Sequence, residues 1–327
     1  MGLVDQIPAL VVLIVGLALL VGGGEWLVKG AAAWALRASI PPLIIGLTAV
    51  SLGTSAPELF ASIQAALEGH PGIAVGNVLG SNIANVALIL GLTAVVCPLR
   101  VDRMAIKIDI PLMLGASLLF VAVAANLKVN RGEGIGGLVL LGLFIVNLFK
   151  RARREDSQGN DSEEIQNAGA WAQRPPLILL LLITAGTAGL YLGSELFVEG
   201  ARRIALDFGV GDRVVGLTIV AFGTSVPELV ASGIAALRGQ PDLAVGNIIG
   251  SNLFNLLLVL GATATICPLP ISSEVLSWDI WWFLGTAAAI IPLALMSSTQ
   301  NPKLGRWQGV LFVAVYILYI GSTWASA

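Results

Sequence analysis

Glu58 and Glu228 each end the sequence Gly-Thr-Ser-x-Pro-Glu, at 53–58 and 223–228, inside stretches that are otherwise apolar. Each is followed by Gly-Asn-x-x-Gly-Ser-Asn, at 76–82 and 246–252, so the two copies lie 170 residues apart throughout. Thr54 and Glu58 are four residues apart, which puts them on one face of a helix, and Ser81 and Asn85 repeat that spacing on the next. The second copy supplies Thr224, Glu228, Ser251 and Asn255 in the same arrangement. Pro57 sits in mid-span, removes a backbone N–H and predicts free carbonyl groups near Ser51, Leu52 and Gly53. Ser55 and Ser225 flank the threonines and are expected to line an ion path.

Carboxylate, hydroxyl, amide and carbonyl oxygens, with no His or Cys among them, suit a hard cation such as Ca²⁺ or Na⁺ rather than zinc or copper. Two glutamates supply two negative charges, which one Ca²⁺ or two Na⁺ neutralise. A bare carboxylate at the centre of a bilayer costs roughly 2.5 kcal/mol or more. The empty site is therefore disfavoured, and ions must enter before it can be reoriented, which is the logic of obligatory exchange.

Plainer roles compete for some of these residues. A membrane glutamate can pair with Lys or Arg, but neither helix has a basic residue near Glu58 or Glu228. Gly76, Gly80, Gly246 and Gly250 have the small-xxx-small spacing of close helix packing. Asn77, Asn82, Asn247 and Asn252 are read as helix-to-helix hydrogen-bond formers rather than ligands. Glu25, Glu195 and Glu199 fall near expected helix ends and are read as solvated. His70, the only histidine, lies in a loop beside Pro71 and is a poor proton relay.

The elements that must hold these residues are membrane helices. The chain is 56% hydrophobic and 12% charged, with a mean hydropathy of +0.88, whereas soluble domains carry about 25% charged residues. Apolar spans are predicted near 7–28, 41–66, 72–96, 106–126, 134–149, 176–198, 212–236, 242–266, 279–297 and 307–325. The fold class expected is an all-α polytopic membrane protein of ten transmembrane helices. Placing the N-terminus outside puts 13 of the 18 Lys and Arg residues in the cytoplasm and leaves Lys128, Arg131, Arg202, Arg203 and Arg213 outside. Both termini then face outward from the cell (inner) membrane. Met1 to Asp5 carries no basic region, so a cleaved signal peptide is not expected. The polar stretch at 150–175 reads as a cytoplasmic linker with a basic stop-transfer start.

Five spans are an odd number, so the second half enters the membrane from the opposite side. The expectation is two inverted five-helix repeats, 1–149 and 176–327, with midspan residues of both halves meeting near the bilayer centre. Between 46–91 and 216–261, 28 of 46 positions are identical, which concentrates function in those two helix pairs. Cys97 and Cys267 obey the same offset, and inversion places them on opposite faces. A disulfide needs Cα atoms within about 7 Å, so none is expected across a core about 30 Å thick.

On these motifs the chain resembles the cation/Ca²⁺ exchanger superfamily, and within it the prokaryotic Na⁺/Ca²⁺ exchangers. The resemblance implies a diamond of four sites holding three Na⁺ or one Ca²⁺. It makes Glu58 and Glu228 the central acidic ligands, with oxygens from Thr54, Thr224, Ser81 and Ser251 and backbone carbonyls from Ser51 and Ala221. Asn85 and Asn255 would flank the centre, and the helices around 7–36 and 176–205 would slide as a gate. Some members carry Asp where this chain has Asn255, a residue associated with K⁺ dependence, so Asn at 85 and 255 implies K⁺-independent transport.

The leading expectation is therefore a Na⁺/Ca²⁺ antiporter, not an enzyme, acting as a monomer in the bilayer without a cofactor or nucleic-acid partner. H⁺/Ca²⁺ exchange is the alternative on the same fold, with Glu58 and Glu228 protonated on the return step; its branch resembles a different repeat motif. An acidic-filter cation channel is the alternative of another class. Channels commonly build their pore from several subunits, whereas this chain contains its own internal pair. No nucleophile–base pair or metal–His cluster points to catalysis.

Overall fold

The computed structural model describes residues 7–38, 40–155, 169–208, 223–298 and 300–326. Its helices are α1 (Ala9–Arg37), α2 (Pro42–Thr54), α3 (Ala56–Leu67), α4 (Pro71–Val96), α5 (Ala105–Ala124), α6 (Arg131–Glu155) and α7 (Pro176–Asp207). α8 (Val226–Leu237), α9 (Pro241–Ile266), α10 (Val275–Leu295) and α11 (Arg306–Ser326) follow, and a single helical turn at Gly169–Ala172 precedes α7. Among the described residues, seven helices are long and apolar enough to cross a membrane, and α2 with α3 forms one bent span. The chain is a multi-pass, all-α membrane protein. Its seventh expected span is described only from Gly223, and α8 is that span's second half; half of the expected linker, 156–168, lies outside the described residues.

Three of the expected spans were too short. That at 134–149 becomes the 25-residue α6, and those at 7–28 and 176–198 become helices of 29 and 32 residues. The cause in the last two is local: Lys29 to Arg37 is Ala-rich with no stop signal, and Glu199 pairs with Arg202 and Arg203 along α7 at 2.8 and 2.7 Å. At 1.5 Å per residue α1 and α7 both exceed the hydrocarbon thickness, so they must tilt or protrude. They pack on each other through glycines spaced by seven: Gly16, Gly23 and Gly30 on α1 and Gly186, Gly193 and Gly200 on α7. A Cβ on Gly16 would come within 2.4 Å of the Phe197 backbone N, and one on Gly186 equally close to that of Leu27. Nothing but glycine permits that backbone approach.

The core lies elsewhere. The apolar windows of α4 and α9, which follow the two acidic motifs, are 78% and 94% buried, against 39% or less for the other full-length spans. These two helices carry Ser81, Asn85, Ser251 and Asn255, and each contains a π-helical stretch, Ala84–Leu90 and Asn255–Val259. Such widened turns free local backbone geometry and recur at functional sites.

Two short antiparallel ladders tie the loops. β1 (Leu99–Arg100) pairs with β4 (Lys303–Leu304), and β2 (Lys128–Val129) pairs with β3 (Leu269–Pro270). β1 and β3 are equivalent at the 170-residue offset, and each pairs with a loop of the other half. Beside the first ladder Arg103 donates to the Gln300 carbonyl at 2.7 Å, and near the second Arg131 donates to that of Ile266 at 3.2 Å.

Candidate cation site

The site is built around a broken helix. α2 ends at Thr54 and α3 restarts at Ala56 with a 43° bend, because Pro57 cannot donate to the Gly53 carbonyl. In the second copy α8 likewise starts at Val226 with Pro227 in its first turn, and the residues before Gly223 lie outside the described ones. Glu58 and Glu228 consequently occupy the first turns of α3 and α8. A half-helix N-terminus carries a partial positive charge, so the bend sets each carboxylate where the backbone favours it.

Both carboxylates are fully buried, and they lie close enough to feel each other's charge. The Ser55 hydroxyl crosses between the halves to donate to Glu228 Oε1 at 3.2 Å. The Thr54 and Ser251 hydroxyls also lie against the Glu228 carboxylate. Thr54 Oγ1 stands 3.4 Å from Ser251 Oγ and donates to Asn247 Oδ1 at 3.2 Å. Ser51, Thr54, Ser55, Ser81, Asn85, Ser225, Ser251 and Asn255 are all buried. Asn85 Nδ2 donates to Asn252 Oδ1 at 3.1 Å, which holds α4 to α9 beside the carboxylates.

Several oxygens here lack what buried oxygens normally have. Both oxygens of Glu58, Oε2 of Glu228, Oδ1 of Asn82, Asn85 and Asn255, and the Thr224 hydroxyl have no hydrogen-bond partner among the described residues. Buried polar atoms are otherwise paired in more than about nine cases in ten. A cluster of unpaired oxygens around two carboxylates can coordinate a hard cation, which needs several oxygens at once.

Two expectations need correcting. The Ser51 carbonyl is not free: it accepts from the Ser55 backbone N–H at 2.9 Å, because the chain closes one more turn before the bend. Its second lone pair is what remains for a ligand. Glu25 and Glu199 are not solvated end residues; α1 and α7 continue past them, and Glu25 pairs with Lys29 and Arg238 as Glu199 does with Arg202 and Arg203. Ala221, the other expected carbonyl ligand, lies outside the described residues.

The asparagines of the second motif brace helices as expected. Asn77 donates to Ser62 Oγ at 3.0 Å and Asn247 to Ser232 Oγ at 2.9 Å, the same bond at the 170-residue offset. Asn82 Nδ2 donates to the Asn252 carbonyl at 3.4 Å. Ser62 and Ser232 were missed in the sequence because a lone serine in an apolar helix gives no signal, although each lies four residues after its glutamate. Gly250 packs as expected, since a Cβ there would lie 2.2 Å from Ser51 Oγ. Gly246 does too, with a Cβ 2.5 Å from the Leu43 carbonyl. For Gly76 and Gly80 no described atom lies within 4 Å; the equivalent partner positions fall in 209–222, outside the described residues.

Comparison with known proteins agrees with this architecture. The model of the sodium/calcium exchanger protein family matches residues 8–150 and 178–325. The chain is 38% identical to inner membrane protein YrbG of Escherichia coli, covering 95% of each chain. It is 32% identical to sodium/calcium exchanger MaX1 of Methanosarcina acetivorans, over 94% of this chain and 96% of that one. A solved structure of the sodium-calcium exchanger NCX_Mj superposes with a TM-score of 0.80 at 32% identity, covering 96% of this chain and 98% of its own. Matched along nearly its whole length, in both halves, the chain belongs to the sodium/calcium exchanger family and is a cation/Ca²⁺ antiporter.

Proposed function

We propose that this antiporter exchanges Na⁺ for Ca²⁺ by alternating access, without K⁺, and that both ions use one central site. Glu58 and Glu228 are its acidic ligands, and Thr54, Thr224, Ser81 and Ser251 add hydroxyl oxygens. Asn85 and Asn255 flank the centre, the carbonyls of Ser51 and Ala221 complete the oxygen set, and Ser55 and Ser225 line the approach. The observation that carries this reading is the cluster of buried, unpaired oxygens around the two carboxylates. It also favours Na⁺ over H⁺ as the counter-ion. Protonation would neutralise the glutamates yet leave the amide oxygens of Asn85 and Asn255 unserved, whereas a metal cation engages neutral and charged oxygens together.

The charge count supports the exclusion of K⁺. With Asn at both 85 and 255 the centre holds two negative charges, balanced by one Ca²⁺ or two Na⁺, and has none left for a further cation. The halves 1–149 and 176–327 act as inverted repeats of five helices each, joined by a linker at 150–175 on the cytoplasmic face. Both termini face outward from the cell membrane. The unit of transport is the monomer, since the internal pair already encloses the site.

The test is Ca²⁺ uptake into proteoliposomes loaded with Na⁺ and diluted into Na⁺-free buffer, beside vesicles loaded with choline and given a pH gradient. Uptake requiring internal Na⁺ supports the reading. Uptake driven by the pH gradient alone assigns the protein to H⁺/Ca²⁺ exchange, and uptake needing no counter-ion makes it a channel.

A further inference from the structure

We infer that Glu25, Arg238 and Ser194 are positioning residues that hold the α1–α7 pair in one of two access conformations, and that the opposite conformation has no equivalent hold. The inference rests on the alternating access proposed above, though not on the identity of the counter-ion.

α1 and α7 form one body, because their glycines bring backbone against backbone. The pair is peripheral, with only 39% and 28% of the apolar windows buried. Such a pair moves as a unit against the helices that carry the site, which is how inverted-repeat transporters alternate. Few polar contacts fasten it. Glu25 of α1 pairs with Arg238 at the end of α8, while Gly24 lies against Val230 and Ile234 of that helix. On α7, Ser194 Oγ donates at 2.6 Å to the Gly223 carbonyl, the one that Pro227 deprives of its helical donor.

The 170-residue offset gives the contacts of the opposite conformation, in which the halves exchange roles. Glu25 maps to Glu195, Arg238 to Glu68, Ser194 to Gly24 and Gly223 to Gly53. Val230 and Ile234 map to Phe60 and Gln64, which are exposed in this structure. When α7 covers them, Glu195 meets Glu68, two like charges instead of an ion pair. Gly24 then meets the Gly53 carbonyl with no hydroxyl to offer. Neighbouring groups do not repair this: Gln64 is already bonded to Glu68 at 2.8 Å, and Arg202 and Arg203 are engaged by Glu199. The observed conformation, closed on the Arg238 face, is held by two contacts that its mirror image lacks.

The experiment measures that bias in ion-free nanodiscs, using spin labels at Ala61→Cys on α3 and Leu192→Cys on α7, with Cys97 and Cys267 replaced by serine. Pulsed electron-spin distance measurement gives the ratio of a long distance, with α7 away from α3, to a short one with α7 over it. Arg238→Gln is expected to move that ratio about fivefold toward the short distance, the upper range for a partly exposed ion pair. The charge swap Glu25→Arg with Arg238→Glu restores it, which loss of a merely structural contact would not allow. Glu68→Arg, an exposed change that gives Glu195 a partner, moves it the same way as Arg238→Gln. The inference is overturned by a ratio unchanged in both Arg238→Gln and Glu68→Arg, or by a single distance in every variant. Failure of Na⁺-driven uptake alongside a shifted ratio would instead remove the counter-ion assignment alone.

Discussion

The Ser55 hydroxyl donates to Glu228 Oε1 at 3.2 Å, across the interface of the two halves, while both oxygens of the equivalent Glu58 have no partner among the described residues. Two carboxylates drawn from nearly identical motifs are thus held unequally. Glu228 is held on one oxygen by the Ser55 hydroxyl from the other half, and among the described residues Glu58 has no equivalent hold.

Glu58→Gln and Glu228→Gln are each expected to lower Ca²⁺ exchange on the order of 100-fold, because ligand charge is what tunes a Ca²⁺ site over decades of affinity. Both variants should remain folded, since each removes one of two mutually repelling buried charges. Initial rates of ⁴⁵Ca²⁺ uptake and the melting temperature in detergent check the two halves of this prediction; near-normal uptake by either variant would contradict the site.

Asn255→Asp adds a third carboxylate to a centre that balances two charges. It should change cation preference or introduce K⁺ sensitivity, read as uptake with and without K⁺ at fixed Na⁺. An unchanged ion profile would remove the argument for K⁺ independence.

Gly250→Ala should destabilise the protein by about 1–3 kcal/mol, the usual range for overpacking. Its Cβ would meet Ser51 Oγ at 2.2 Å and Leu47 Cα at 2.8 Å. Gly22→Ala is the control, since no described atom lies within 4 Å of that Cβ. Unfolding by titration with denaturing detergent separates the two variants, and equal stability would contradict the close approach of α9 to α2.

Ser62→Ala and Ser232→Ala each remove the partner of a bracing asparagine, at 3.0 and 2.9 Å. Hydrogen bonds between membrane helices average about 0.6 kcal/mol and reach about 1.7. Losses within that range are expected in the same titration, similar for the two because the bond recurs at the offset. A loss in one variant alone would show that the two braces are not equivalent.

The parts of this account legible in sequence are those where chemistry conflicts with the solvent. Glu58, Glu228 and their prolines stand out because an apolar span excludes them unless they are used, and the 170-residue offset announces the pairing of the halves. The lengths of α1 and α7 were underestimated because hydropathy falls off at Lys29 and Glu199, where helix propensity and ion pairs carry the helix on. The seam of Gly16, Gly23 and Gly30 was hidden, since a seven-residue glycine spacing is a weak signal in a chain with 38 glycines. The unequal holding of the halves was not legible at all: near-identical motifs read as symmetric, and only the packing of α1 and α7 distinguishes them.

The central claim, that Na⁺ and Ca²⁺ share one site built on Glu58 and Glu228, is tested most directly by equilibrium ⁴⁵Ca²⁺ binding to the purified protein titrated with Na⁺. The account predicts that Na⁺ displaces bound Ca²⁺ with a Hill coefficient above one, as more than one Na⁺ replaces each Ca²⁺. It also predicts that Glu58→Gln abolishes Ca²⁺ binding. Ca²⁺ binding that is indifferent to Na⁺, or that survives loss of the Glu58 carboxylate, would contradict it.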